Sequence, residues 1–250
     1  MSTKPLPHHI EEISLNAWPA MHTVLYDGWV LRVANGYTKR ANSVTALYPG
    51  TLDLTAKIDY CERFYRRQKL PPIFRLTDFA QPPDLDKALE ARGYQRIDAT
   101  RVLYLDLSWS GAMASSRAYM LPDRSGLASW LGSFHHMNKH RADESTHRRL
   151  LDLVIGEKCP MVLMVEDGVV ACGLGILTGD VYGIFDVVTD REHRRQGYAL
   201  ELMEALLDWG INARANHAYL QVMVDNEPAQ RLYARLGFQE LYRYWYRILV

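Results

Sequence analysis

The chain has 250 residues, 48% of them hydrophobic, with 29 basic and 29 acidic side chains and a formal net charge of zero. That apolar share is enough to fill a core and excludes a disordered chain. The missing basic excess argues against a nucleic-acid partner, so any anion site must be a local cluster. The three cysteines, Cys61, Cys159 and Cys172, form no C-x-x-C pair, which supports neither a metal site nor a disulfide framework and suits a reducing cytosol. The opening segment MSTKPLPHHIEEISLN has no signal-peptide core, and no run is apolar and long enough to cross a bilayer. A cytoplasmic chain without a membrane partner is expected.

In chain order, DGWVLRVANGY alternates and then reaches Asn35-Gly36, a hairpin signal. ANSVTALYP reads as a second strand. LDLTAKIDYCERFYRRQK has helical spacing, with Ile58, Cys61, Phe64 and Tyr65 on one face, and Pro71-Pro72 ends it. IFRLT is a short strand, PPDLDKALEARGY a helix bounded by prolines and Gly93, and RVLYLDL a closing strand. The Ser-, Gly- and Ala-rich stretch after Leu107 carries no pattern. It separates an expected first domain, 1–107, from a second, 123–250, through a linker at 108–122.

The second half opens with a polar helical region near 123–157. Three strands follow in MVLMVEDGVVACGLGILTGDVYGIFDVVT, with turns at Asp167-Gly168 and Gly179-Asp180. GYALELMEALLDWGINAR is a helix with acids on one face and Leu202, Leu206 and Trp209 on another. AYLQVMV, EPAQRLYARLG and ELYRYWYRILV read as strand, helix and terminal strand. The two halves end alike: ALEARGYQRI overlays LYARLGFQEL, matching Gly93 to Gly237, Tyr94 to Phe238 and Gln95 to Gln239. The common strand–helix order favours a diverged internal duplication over chance.

One stretch asks for an anion. In REHRRQGYA, residues 191–199, three arginines and a histidine crowd one glycine between an apolar strand and a long helix. The first turn of a helix has free N–H groups at the positive end of its dipole and takes phosphates readily. Gly197 and Ala199 keep the approach open, and Arg194 and Arg195 can add charge-assisted bonds. The alternative is a solvated basic corner.

The hexapeptide Arg194-Arg195-Gln196-Gly197-Tyr198-Ala199 resembles the Q/R-x-x-G-x-G/A acyl-CoA signature of the GNAT N-acetyltransferase superfamily. A second segment, DNEPAQRLYARLGFQE (225–240), resembles that family's later signature and follows in order with a strand between them. The resemblance covers roughly residues 120–250 and extends weakly to 10–107. It implies an α/β protein of two GNAT-like halves, each a mixed, mostly antiparallel sheet flanked by helices, with the second half catalytic. It also implies an acyltransferase that uses acetyl-CoA as co-substrate and no metal, in a direct attack within a ternary complex.

Residue by residue, the resemblance implies that backbone N–H groups of Gln196, Gly197, Tyr198 and Ala199 hold the CoA pyrophosphate. Val187 and Val188 would pair with the pantetheine arm, and a backbone N–H near Val188 would polarise the thioester carbonyl. Asn226 would contact pantetheine, and Tyr233 would protonate the departing thiolate. Amine attack needs a neutral nitrogen, so a base is required. Asp186, beside the thioester strand, leads and Glu227 is a weaker option; Asp186 facing away from the acceptor is the alternative. In the first half Leu89 takes the place of Tyr233 and no glycine signature follows its strand, so one CoA per chain is expected.

The expected acceptor is a small-molecule amine or amino acid, with a protein amine second. An acyl-CoA sensor without catalysis, and a first half that recruits a protein substrate, stand as alternatives. The cluster GYTKRANS (36–43) reads as a hairpin tip that could face the acceptor cleft, and His136 and Asn138 as acceptor contacts. His135, His136, His140 and His147 lack partners for a convincing metal set. CGLG is not a dinucleotide fingerprint; its glycines suit close packing. RYWYR reads as a strand with one buried face.

Overall fold

Eleven strands join in one mixed sheet in the computed structural model, which describes residues 6–108, 117–121, 123–138, 143–166 and 168–249. The first half contributes α1 (Leu6–Ala17), β1 (His22–Tyr26), β2 (Trp29–Val33), β3 (Val44–Thr45), α2 (Leu54–Arg67), β4 (Ile73–Thr77), α3 (Leu85–Ala91) and β5 (Gln95–Asp106). The second contributes β6 (Ala118–Met120), α4 (Asp123–Met137), α5 (Glu144–Leu153), β7 (Glu157–Val165), β8 (Gly168–Thr178) and β9 (Val181–Thr189). It ends with α6 (Tyr198–Asn212), β10 (His217–Met223), α7 (Glu227–Arg235) and β11 (Gln239–Ile248). Most of the expected linker, and Asp167 and His140, lie outside the described residues.

The first hairpin turns one step earlier than its strongest dipeptide suggests. Tyr26 pairs with Trp29 across Asp27-Gly28, whose φ angles of 44° and 84° suit a two-residue turn. Asn35-Gly36 also has positive φ, but it leads into a short 3₁₀ turn, Lys39–Ala41, capped by Thr38, before the two-residue β3. The polar signals around residue 40 belong to this looped connection. Helix α1 has no counterpart in the sequence expectations. It packs on β8 and β9 of the other half, and its buried Glu11 pairs with Arg75 of β4 and accepts a 2.6 Å hydrogen bond from Tyr242 of β11.

Strand order is β1-β2-β3-β4-β11-β5-β10-β9-β8-β7-β6. The closing strands of the two halves are exchanged. β5 pairs antiparallel with β10 from His217↔Asp106 to Met223↔Thr100, and β11 pairs antiparallel with β4 from Tyr244↔Thr77 to Ile248↔Ile73. β5 and β11 also pair with each other at the centre. The halves therefore share a continuous sheet, and the buried face of β11, carrying Tyr242, Tyr244 and Tyr246, packs with residues of both.

Side chains alternate along the strands of the second half and feed two cores. Val162, Cys172, Leu174 and Ile176 join the cluster with Trp18, Trp130, Phe134 and Leu150 from the α1, α4 and α5 side. Met161, Leu163 and Ala171 join Leu202, Leu206 and Tyr233 from α6 and α7. A third cluster packs Ile58, Cys61 and Tyr65 of α2 on Leu31 and Phe74. Helix α6 lies close to the sheet: a Cβ on Gly173 would come within 2.9 Å of Leu206, and one on Gly175 would overlap the Tyr182 ring.

Candidate active site

Strand β9 carries a bulge. Val188 pairs with Cys172 and Phe185 with Leu174, so Asp186 and Val187 together oppose Gly173, and Asp186 takes φ +50°. The Trp130 indole donates to the Gly173 carbonyl at 2.9 Å. Next to the bulge the sheet parts. β9 and β10 run parallel and pair only from Val181↔His217 to Ile184↔Leu220, while β10 continues on β5 to Met223. The outer segment of β9 is thus open on its β10 side.

A cleft of about 680 Å³ occupies this gap. Asp186, Val187, Asn226 and Tyr233 of the second half line it. Val188 is not among the lining residues; its side chain packs on the core beneath α1 and α4. The first half supplies the facing wall, Gly36–Arg40 and Asp98, with Tyr244 and Tyr246 of β11 also lining the cleft. Asn138 lines the cleft too, whereas His136 is exposed outside it.

Tyr233 is held on α7 with 8% exposure, and burial pushes its phenol up to about 12, so it stays protonated across neutral pH. Asn226 caps that helix, its Oδ1 accepting from the Ala229 N–H at 3.3 Å. Glu227 is exposed and pairs with Arg231 at 3.2 Å, away from the cleft lining. The Asp186 carboxylate lies 3.1 Å from His147 Nε2, and His147 Nδ1 lies 3.1 Å from His135 Nε2. Among the described residues no three His, Cys, Asp or Glu side chains converge in a metal-binding geometry.

At the end of β9, Asp190 caps a short 3₁₀ turn, Arg191–His193, and Gly197 caps α6 in the left-handed conformation, φ +87°. A Cβ there would meet nothing within 4 Å, so the glycine is required by backbone angle and not by packing. Arg194, Arg195, Gln196 and Gly197 are exposed; Tyr198 and Ala199 are half-buried. Arg194 Nε folds back on the Thr189 carbonyl at 3.3 Å. The acid in the first turn, Glu201, is neutralised by a two-pronged bond from Arg117 at 2.6 and 3.1 Å, which also lowers its pKa. The helix start keeps its free N–H groups and positive potential. A splayed strand pair ending at such a helix start fits a ligand with an amide-containing arm and a pyrophosphate.

Two residues in the cleft region were not singled out by the sequence. Arg40 falls within the polar 36–43 segment expected as a hairpin tip that could face the acceptor cleft, which it does line, and His147 within a histidine group expected as a solvated or pocket-lining segment, not a metal set. A buried face of α5 formed by Thr146, His147, Leu150 and Leu151 is the one local signal for His147.

The family model described as "Probable histone acetyltransferase Rv0428c C-terminal" matches residues 8–247. The Bacillus subtilis (strain 168) protein "Uncharacterized N-acetyltransferase YobR" is 27% identical over 245 residues, covering 96% of this chain and 97% of its own. Among solved structures, a GCN5-related N-acetyltransferase from Kribbella flavida superposes with TM-score 0.72 at 14% identity, covering 98% of this chain and 96% of that one. A structure described as a tandem GNAT protein from the clavulanic acid biosynthesis pathway superposes with TM-score 0.65 at 15% identity, over 100% of this chain and 89% of that one. At such identities the structural likeness is one of fold.

Proposed function

The chain belongs to the probable histone acetyltransferase Rv0428c C-terminal family and is an N-acetyltransferase of the GNAT type; from that premise we propose that it moves an acetyl group from acetyl-CoA to the primary amine of a small molecule or amino acid, by direct attack in a ternary complex. The observation that carries this reading is the splay of β9 from β10, which opens one cleft holding Asp186 and Tyr233, on a strand that the chain follows with the Gly197-capped start of α6.

In this reading acetyl-CoA supplies the thioester that is attacked. Amides of Gln196 to Ala199 hold its pyrophosphate, with Arg194 and Arg195 adding charge. The backbone of the Asp186–Val188 segment on its β10-facing side, beyond the last β9–β10 pair, aligns the pantetheine arm and offers an N–H to the carbonyl oxygen, while Asn226 contacts the arm from α7. Asp186 takes the proton from the acceptor amine, and His147, 3.1 Å behind it, shares that proton with His135. Tyr233 gives its proton to the departing thiolate.

The first half is a degenerate copy that no longer binds CoA. Supporting this, both halves run strand, helix, strand, helix in the same order before their exchanged closing strands, and Leu89 stands where Tyr233 does. The working boundary remains a first half of 1–107 and a second of 123–250. A protein amine is the second choice of acceptor, favoured by the histone named in the family's description. The chain's zero net charge gives no field for a strongly basic protein tail.

The test is a calorimetric titration with acetyl-CoA followed by an amine screen. One site per chain and turnover with small amines support the reading. Two sites would restore the first half as a CoA domain. No binding would sink it, and binding without turnover of any amine would leave an acyl-CoA sensor.

A further inference from the structure

We infer that the acceptor is an amine that also carries a carboxylate, and that Arg40 binds that carboxylate. The inference rests on the acetyl-transfer reading of the same cleft. It starts from an arginine with no ion-pair partner among the described residues. Arg40 sits in the short 3₁₀ turn of the first half and lines the cleft with Asp186. Its guanidinium carbon lies 5.5 Å from the Trp18 ring centroid and 5.8 Å from that of Phe185. Its Nε is buried without a hydrogen-bond partner. Among the described residues no carboxylate comes within ion-pair distance of this guanidinium, and none of its nitrogens donates a recorded hydrogen bond.

The neighbouring cations are all engaged. Arg32 donates to the carbonyls of Arg40, Leu15 and Trp18. Arg75 pairs with Glu11. Lys39, at the cleft wall, pairs with Asp98 at 2.8 Å. Arg75 also lies over a ring, that of Tyr244 at 3.8 Å, but its charge is met by Glu11; Arg40 lines the cleft with no such carboxylate among the described residues. A buried cation without a counter-charge is costly. Desolvation works against its charge and the Asp186 carboxylate favours it; a guanidinium stays protonated in either setting. A planar fork of donors beside the stacked Trp18 and Phe185 rings is matched by a planar pair of oxygens.

The choice of a carboxylate follows from what faces Arg40. Asp186 lines the same cleft, and its charge opposes a multiply charged anion but suits an ammonium. A cation and an anion facing one cleft complement a zwitterion, with the carboxylate at Arg40 and the amine at Asp186. Trp18, Phe134 and Phe185 leave an apolar wall for the remainder of the molecule. These features together describe an amino acid.

The experiment titrates the CoA-saturated protein calorimetrically with apolar and aromatic amino acids, each against its decarboxylated amine. The expected result is that at least one amino acid binds about tenfold or more tightly than its matched amine. Arg40→Gln should erase the difference and Arg40→Lys should restore part of it, both with unchanged acetyl-CoA affinity. Equal or tighter binding of the amines, no binding by any amino acid in the panel, or a preference that survives in Arg40→Gln overturns the inference. If Arg40→Gln fails to fold, the wild-type matched pairs still decide. The readout needs no turnover, so it separates from the transferase reading: loss of acetyl-CoA binding sinks that reading, whereas loss of the carboxylate preference sinks only this one.

Discussion

His147 Nε2 lies 3.1 Å from Asp186 Oδ2, and the two residues reach each other from α5 and from the bulge of β9. His147 is 0% exposed, ringed by Trp18, Tyr37, Trp130 and Phe134, and its other ring nitrogen meets His135. The charged and titratable groups in contact with it include Asp186 on β9, His135 on α4, and Tyr37 on the connection between β2 and β3. A buried imidazole with Nδ1 bonded to His135 and Nε2 within ion-pair distance of the carboxylate gives the Asp186 proton a second place to go.

That arrangement predicts how pH acts on the rate. Attack requires the Asp186–His147 pair to be free to accept a proton, so kcat/KM should rise with pH along an acid limb. His147→Gln should displace that limb and lower kcat, with acetyl-CoA affinity unchanged. Asp186→Asn should lower kcat by about 100-fold or more. Profiles of kcat/KM against pH for the three proteins check this; an acid limb identical in all three would remove the pair from the chemistry.

Tyr233→Phe removes one oxygen from a ring already packed against Phe238 at 6.1 Å between centroids. Folding and acetyl-CoA binding should persist while kcat falls by about 100-fold. Because burial raises the phenol to about 12, the wild type should not lose this acid form below pH 10. Steady-state kinetics of the variant, with its acetyl-CoA affinity measured separately, decide the point.

Gly197 separates backbone strain from charge. In Gly197→Ala the new Cβ meets no neighbour, so the cost is that of placing an L-residue at φ +87°, about 1–2 kcal/mol. Gly197→Glu adds a carboxylate to a helix start expected to hold a pyrophosphate. Acetyl-CoA affinity should therefore fall well further in the Glu variant than in the Ala variant, as read by calorimetry. Equal losses would mean that no anion binds there.

The helix that carries His147 is capped by Asp143, which accepts from the Thr146 N–H at 2.9 Å and the Ser145 hydroxyl at 2.8 Å. These bonds lower its pKa from 3.8 to about 2. A depressed carboxylate contributes stability that is fully present above the unfolded pKa and is lost as pH falls through the folded one. Asp143→Ala should cost about 1 kcal/mol near neutrality, and the gap from wild type should close between about pH 4 and pH 2. Denaturant unfolding at several pH values measures it.

The exchanged strands predict cooperative failure. β11 supplies Tyr242, Tyr244 and Tyr246 to the shared core, and β4 and β5 both hydrogen-bond to it. Deleting residues 239–250 should unfold the first half as well as the second, and the intact chain should show one unfolding transition by both far-UV and tryptophan signals. Two separated transitions, or a soluble, folded fragment 1–107, would show that the halves are independent.

Much of the second half is legible in order because its signals are local. The φ-demanding Gly197 at a helix start, the Asn226 cap, and the apolar faces of α6 and α7 each depend on residues within a turn or two of one another. IFRLT at 73–77 coincides with β4 for the same reason. The connection around Asn35-Gly36 misleads because two turn dipeptides compete within ten residues, and Asp27-Gly28 wins the hairpin by matching the strand pairing on either side.

The left-handed Gly197 turn at the start of α6, the acetyltransferase family and the faces of α6 and α7 are written in local sequence, since backbone angles and helix faces are set by near neighbours. Which residues stand opposite them is set by the packed fold. Trp18, Arg40 and His147 come from three separate segments, and β11 crosses into the other half. Such meetings depend on sheet order and on the burial of charges against distant rings, and no periodicity within a segment encodes them.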